Sequence, residues 1–464
     1  MSRRKNLIRT LLCALTAGMT SSPISAQTSA DSTVSTNSGY KSPPDQILSV
    51  MRAPSPPVPI VSPTDETILL VSLQEYPSIA RVAMPFLRLA GVRVEPKNHS
   101  RHDTTGGYGI TPCATGFELI RVADGKQTPV PLGAGMCAGS PVWSADGKRF
   151  SFVNIAADCV QLWIGDASTG SVKQVPGVHL NPMFNEEMQW MPDQKTLLVK
   201  LVPQTNDGPP KEVNDLSGPS IQETEGRKGL SSTYEARDTL GNVRDENIFD
   251  YFALSQLAFV DSATFTVTPF GKPANFKSLD PAPDGHHILV STIHKPYSYL
   301  VTYDRFPTEV EIWDTSDSSN VTVHTIASLP MADHVPIHGV PTGPRNFSWR
   351  PTEPSTLIWA EALDGGDWHV NVPHRDKLFL QKAPFNSPAA EIGRTEQRYS
   401  GFNWSEQPSI ALLSEYDENR HWTRTFIMDV DNPQAKPRLL WDLSRDERYK
   451  NPGSPVHRQL PNGP

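Results

Sequence analysis

The chain is short of cysteine, of unbalanced charge and of long apolar runs. Four cysteines occur in 464 residues, at positions 13, 113, 137 and 159. None has a C-x-x-C partner, which leaves no basis for a zinc ribbon or a thioredoxin-type redox site. The formal net charge is -8, with 20% charged residues and no basic run after the N-terminus. That balance gives no reason to expect nucleic acid as a partner. The only apolar stretch of note, Leu7 to Met19, is too short to span a bilayer.

Chemistry-bearing motifs are equally sparse. No G-x-S-x-G elbow is present, and Gly229-Leu-Ser-Ser-Thr233 lacks the second glycine that lets the backbone turn sharply. There is no H-E-x-x-H, no P-loop and no G-x-G-x-x-G after a strand. Asp429 and Asp431 stand close together, but DVDNPQ lacks the glycine and glutamate of a calcium loop. His286, His287, His334 and His338 have no accompanying serine or carboxylate motif and read as surface or structural groups. Asp364-Gly-Gly-Asp367 reads as a hairpin turn. No catalytic, cofactor-binding or metal-binding residue is assigned, and no cofactor is expected.

The N-terminus has the layout of a secretory signal: Arg3-Arg4-Lys5, a short apolar run, then Ile24-Ser25-Ala26 before Gln27. Residues 1–26 are expected to be a signal peptide, and the Ser/Thr-rich residues 27–41 a disordered lead-in. The twin-arginine character is weak, and Leu12 before Cys13 argues against a lipoprotein. The expectation is an exported protein, periplasmic or extracellular, with no membrane association after cleavage. Export permits a disulfide, and Cys113 and Cys137 flank the hairpin-like GFELIRVADGKQTPVPL. They could pair, or all three mature cysteines could be small buried apolar groups.

What the sequence has in abundance is a repeated turn. VSPTDETILLVS at Val61, VWSADGKRFSFV at Val142, QWMPDQKTLLVKL at Gln189, LDPAPDGHHILVSTI at Leu279, SWRPTEPSTLIWAEA at Ser348 and NWSEQPSIALLSEY at Asn403 share one design. Each has an aromatic or apolar anchor, a Pro/Ser/Asp turn and an alternating strand. The anchors Trp143, Trp190, Leu279, Trp349 and Trp404 are spaced by 47, 89, 70 and 55 residues. Irregular repeats of about four short strands predict an all-β, β-propeller fold over residues 42–464, because one such sheet cannot bury both faces alone. Helical periodicity is confined to Ser78–Leu89 and Ser232–Leu240. The polar stretch Pro203–Gly229 reads as an exposed loop. The aromatic, acidic Ser231–Asp261 and the aromatic-rich His294–Asp314 read first as blade packing, or as a channel or domain interface.

Several of these segments resemble a known family. YKSPPDQILSVMRAPSPP, YEARDTL, FDYFALSQLAFVD, PYSYLVTYDRFPTEVEIWD, NVPHRDKLFLQKAPF and RHWTRTFIMDVD are similar to the N-terminal part of the glutamyl endopeptidase branch of the prolyl oligopeptidase family of serine peptidases. The resemblance covers nearly all of the mature chain. It implies a β-propeller, seven-bladed in the full architecture, followed by a C-terminal α/β-hydrolase domain carrying a Ser-Asp-His triad. It also implies cleavage after glutamate, with the propeller restricting entry to peptides or unfolded polypeptide. Roughly 200 to 300 further residues would be needed after Pro464 for that domain, so no triad residue can be carried over. The last blade is expected to be incomplete, with the next anchor falling after residue 464. The expectation is a truncated, non-catalytic gating portion of an exported glutamate-specific peptidase. A stand-alone exported propeller that binds peptides or partner proteins is the alternative. A cofactor-dependent propeller enzyme finds no supporting ligand cluster. Arg81, Arg88, Arg237 and Arg305 are candidates for attracting acidic substrates, each read first as a surface or salt-bridge arginine.

Overall fold

The computed structural model describes residues 43–74, 76–104, 109–204, 208–210 and 236–463. The expected signal peptide, the lead-in and most of the Pro203–Gly229 loop lie outside these residues. The chain divides into two compact units, Met1–Pro54 and Ser55–Pro464. In the first, α1 (Asp45–Met51) is a short helix with no buried residue.

The second unit is built from four-stranded antiparallel sheets. Blade 1 has β1 (Val58–Val61) and β2 (Thr67–Leu73), then an insertion with α2 (Ile79–Val82) and the hairpin β3 (Leu87–Leu89) and β4 (Val92–Val94), then β5 (Ala114–Arg121) and β6 (Gln127–Val130). Blade 2 is β7 (Val142–Trp143), β8 (Arg149–Ile155), β9 (Val160–Asp166) and β10 (Val172–Gln174). Blade 3 begins with β11 (Met188–Trp190) and β12 (Thr196–Leu201). It continues after α3 (Val243–Ala253) with β13 (Ser255–Asp261) and the first half of β14 (Val267–Pro281). The second half of β14 opens blade 4, completed by β15 (His287–Ile293), β16 (Thr308–Asp314) and β17 (Thr322–Leu329). Blade 5 is β18 (Pro344–Trp349), β19 (Thr356–Ala362), β20 (Asp376–Lys382) and β21 (Ala390–Thr395). Blade 6 is β22 (Arg398–Trp404), β23 (Ile410–Asp417), β24 (Trp422–Asp429) and β25 (Arg438–Ser444).

Neighbouring residues of one strand serve different interfaces. Leu197 and Val199 pack towards blade 2 with Leu162 and Ile164, while Leu198 joins Phe276, Ile288 and Val290 of blade 4. Leu289 packs with Leu357 and Trp359 of blade 5, and Ile358 and Ala360 face Ala411 and Leu413 of blade 6. The sequence predicts alternation in the second strands, but with both faces buried successive residues such as Leu197, Leu198 and Val199 are all apolar. Five such contacts join the six blades in series, the first through Leu69, Phe117, Phe150 and Phe152.

The anchors do a second job. Trp143 Nε1 donates to the Ile60 carbonyl at 3.2 Å, Trp190 Nε1 to Val142 at 3.2 Å, and Trp349 Nε1 to Asp280 at 2.8 Å. Each indole thus satisfies a carbonyl on the first strand of an adjoining or preceding blade, which sets the first strands side by side around one axis. Leu279 has no such donor. There Gln189 Nε2 reaches across to the Leu279 carbonyl at 2.8 Å.

The turns also match. In the first four, the residue three places on donates its N–H back to the starting carbonyl: Asp65 to Ser62, Gly147 to Ser144, Gln194 to Met191 and Gly285 to Ala282, all at 2.9 Å. Each donor has a left-handed backbone, with φ between 57° and 73°. The same bond recurs once more, from Gly463 to Leu460 at 2.9 Å, with φ 101°. Among the described residues no strand follows β25, and the propeller has six four-stranded blades. Asn462 Nδ2 lies 3.4 Å from the Pro283 carbonyl.

Helix placement differs from the sequence reading. Ser78–Leu89 holds only the four residues of α2, N-capped by Ser78, and its end becomes β3. Residues 236–240 are not helical, and the helix starts after Asn242, whose side chain accepts from the Asp245 N–H. Apolar spacing alone missed this start, whereas the Asn-x-x-Asp cap marks it. Cys113 and Cys137 form a disulfide, and Cys159 is free and buried, which resolves the open alternative.

Candidate functional site

The connections from second to third strand of blades 1, 3 and 4 come together in one core. They run from 74 to 113, from 202 to 254 and from 294 to 307, the last with a single helical turn at Tyr303–Arg305. A turn-bearing loop needs its own core to be ordered, and these share one. Leu89, Val92 and Val94 of the hairpin pack with Phe249 and Phe252 of α3, with Val301 and Phe306, and with Met183 and Phe184. The result is one insertion cap. Tyr297 and Phe306 stack at 5.0 Å, and Phe249 meets both edge to face at 5.0 and 5.8 Å. The two aromatic-rich segments thus meet each other in the cap, while Phe259 and Trp313 join the packing between blades 3 and 4.

Charged groups tie the cap together. Arg93 Nε contacts Asp238 at 2.7 Å and Arg93 Nη1 contacts Asp103 at 3.1 Å. Glu95, 2% exposed, accepts from Arg81 and from His102 Nδ1, the latter at 2.9 Å. Tyr297 donates to Asp250, and this contact together with burial pushes its hydroxyl pKa up. His99 lies 4.7 Å from the Phe252 ring and 5.8 Å from that of Tyr251, and burial holds its pKa down at about 4.

Near the axis, Lys200 is fully enclosed, donates to the Asn185 carbonyl and is lowered by desolvation to about 8. Asp280 is open to solvent yet surrounded by protein, and this confinement, with Glu186 nearby, raises its carboxyl to about 7.

A cleft of about 490 Å³ opens between blades 4 and 5. Phe306, Val310, Leu329, Met331 and Phe347 supply its apolar wall, and Lys277, Arg305, His334, Arg345 and Asp304 its charged groups. Lys277 Nζ donates to the Asp304 carbonyl at 2.7 Å, and burial lowers its pKa. Behind this wall lies a buried ion cluster. Asp376 forms an ion pair with Arg345 at 2.6 Å and accepts from Arg398 at 2.7 Å, and Asp364 accepts from Arg375 at 2.9 Å and also from Arg398. Asp364, expected to be a plain turn residue, is instead a buried acceptor that also takes the Gly366 N–H at 3.0 Å. Sequence reasoning missed all five cluster residues. Asp376 was detectable, because it interrupts the apolar face of the DKLFLQK strand.

The four arginines singled out from the sequence separate. Arg81 pairs with Glu95, Arg88 lies 3.5 Å from Asp238, Arg237 precedes Asp238 in the cap, and Arg305 alone reaches the cleft. Among the histidines, His287 pairs with Asp284 at 2.6 Å in a blade turn, His338 lies 3.3 Å from Glu418 and His334 3.5 Å from Asp333. Among the described residues no group of three or more His, Cys, Asp or Glu side chains is arranged to hold a metal ion, and no helix is long and apolar enough to cross a membrane.

No protein-family model matches the chain. Curated relatives do. A probable chloroplastic glutamyl endopeptidase of Oryza sativa subsp. japonica is 33% identical over 443 residues, covering 92% of this chain and 46% of the relative. A protein of the same description from Arabidopsis thaliana is 33% identical over 457 residues, covering 95% and 46%. The chain spans about half the length of both. Among solved structures, an acylaminoacyl peptidase of Pyrococcus horikoshii aligns with a TM-score of 0.41 and 10% identity, covering 85% of this chain and 47% of that one.

Proposed function

The chain belongs to the glutamyl endopeptidase branch of the prolyl oligopeptidase family, as its β-propeller part, and on that premise we propose that it gates substrate for a glutamate-specific serine endopeptidase. The observation that carries this reading is the extent of the match: almost the whole chain aligns with about half of each relative. Peptide-bond hydrolysis then belongs to an α/β-hydrolase part with its Ser-Asp-His triad. The propeller's contribution is to screen what reaches that triad, so that folded proteins are excluded and extended peptides enter.

The insertion cap supports this role. Its insertions from three blades share a core of their own, apart from the packing between blades. The N-terminal layout of basic residues, apolar run and small residues supports export of the protein.

The test is to treat the purified 464-residue chain with a fluorophosphonate probe, then to repeat the assay after joining it to the remaining half of a curated relative. The chain alone is expected to show no labelled serine. The joined protein is expected to label and to cleave after glutamate. Labelling of the chain alone, or cleavage by the joined protein with no preference for glutamate, would overturn the reading. Subcellular fractionation of the producing cell tests export: a mature protein retained in the cytoplasm with residues 1–26 attached sinks that part.

A further inference from the structure

We propose that the cleft between blades 4 and 5 is a receptor for the carboxylate side chain of an extended acidic peptide. This inference rests on the gating reading and names the substrate feature that the propeller itself recognises. Three observations carry it.

The first is charge arithmetic in the buried cluster. Three guanidiniums, Arg345, Arg375 and Arg398, share two carboxylates, Asp364 and Asp376. One positive charge is left over where solvent screens poorly. The second is the hydrogen-bond account of Arg345. This side chain is 8% exposed and lies at the cleft, and its three nitrogens are buried with no hydrogen-bond partner among the described residues, Nη2 standing 2.6 Å from Asp376 as an ion pair. Enclosed in this way, the guanidinium does not touch a ligand, and its charge acts on an anion in the cleft through poorly screening protein. The third is the wall. Lys277 and Arg305 add positive charge, and Asp304 is the single carboxylate among the lining residues. The apolar wall of Phe306, Met331 and Phe347 suits the methylene stem of a glutamate. The volume of about 490 Å³ is that of a small-molecule or peptide subsite.

The bound carboxylate lies against Lys277 and Arg305, and the uncompensated cluster charge behind Arg345 adds long-range attraction. The cleft thus holds acidic segments near the ring. No covalent step is involved.

The experiment is fluorescence anisotropy with the full chain and a labelled peptide blocked at both termini. The peptide has one glutamate among alanines. Its glutamine counterpart and a glutamine peptide with a free C-terminal carboxylate are the comparison arms. The glutamate peptide is expected to bind about tenfold more tightly than the blocked glutamine peptide, and the difference is expected to shrink with added salt. Lys277→Gln combined with Arg305→Gln should abolish the difference. Arg345→Met removes the surplus charge and leaves two guanidiniums on two carboxylates, so it should fold yet lose the preference, while Arg345→Lys should keep it. Thermal melts of each variant establish that it is folded. Equal binding of the two blocked peptides, a preference for the terminal carboxylate, or a glutamate preference that survives Lys277→Gln/Arg305→Gln would overturn the proposal. None of these results bears on where the joined enzyme cleaves, so the gating reading stands or falls separately.

Discussion

Trp349 of blade 5 donates its indole N–H to the backbone carbonyl of Asp280 in blade 4 at 2.8 Å, with the ring 7% exposed. The bond joins first strands of adjacent blades, where no ladder connects them. Trp349→Phe keeps the aromatic surface but leaves that carbonyl without its donor. It is expected to destabilise the propeller by about 2 kcal/mol. Urea unfolding should show a lower midpoint at an unchanged slope.

Gly147 holds φ 65°, and a Cβ there would lie 2.7 Å from Thr64 Oγ1 in the neighbouring turn. Gly147→Ala is therefore strained both in its own backbone and against blade 1, with an expected cost of about 1–2 kcal/mol. Gln194, at φ 57° in the equivalent position of blade 3, already carries such strain. Gln194→Gly is expected to relieve the backbone but to lose the bond from the Ala145 N–H to Gln194 Oε1, so it should gain little. Thermal melts of the two variants check the contrast.

The Cys113–Cys137 disulfide closes a separation of 24 residues and ties β5 of blade 1 to the connection entering blade 2. Reduction, or Cys113→Ala with Cys137→Ala, is expected to cost about 3 kcal/mol through the greater freedom of the unfolded chain. The comparison is denaturant unfolding with and without reductant. The double variant should not respond to reductant.

His99 sets a pH dependence. Its folded pKa of about 4 lies below its ordinary value of 6.5. The folded state therefore binds fewer protons than the unfolded one between those values. Its contribution to stability is complete well above pH 6.5 and is lost as pH falls towards 4, by about 3 kcal/mol. His99→Asn tolerates the left-handed backbone at this position (φ 60°) and should flatten that part of the pH profile. Hydrogen exchange at acid pH should show the loss first in α3, whose Phe252 packs on the imidazole.

Much of the architecture was legible because the blade turn is local chemistry. Ser144-Ala-Asp-Gly sets its own bend: Ser144 Oγ donates to Asp146 Oδ1 at 2.7 Å, and Asp146 Oδ1 accepts the Lys148 N–H at 3.0 Å. Six copies announced six blades. The cap was not legible as a unit, since its core joins residues from 89 to 306. The ion cluster escaped for the same reason: Asp364 and Arg398 are 34 positions apart and meet only when blades 5 and 6 stack. Arg305 was singled out among four arginines, but nothing in its sequence surroundings distinguished it from Arg81, which is committed to Glu95.

One strand has a mechanical consequence. β14 runs unbroken for 15 residues, pairing with β13 of blade 3 up to Ala274 and with β15 of blade 4 from Asn275. Blades 3 and 4 consequently share a backbone splint, while the other contacts between blades rest on side chains and short bridges. Under a pulling force or during thermal breathing, that pair should move as one stiff segment. Any opening between blades is thereby directed to the seams on either side of it, and the seam between blades 4 and 5 is the one that contains the charged cleft.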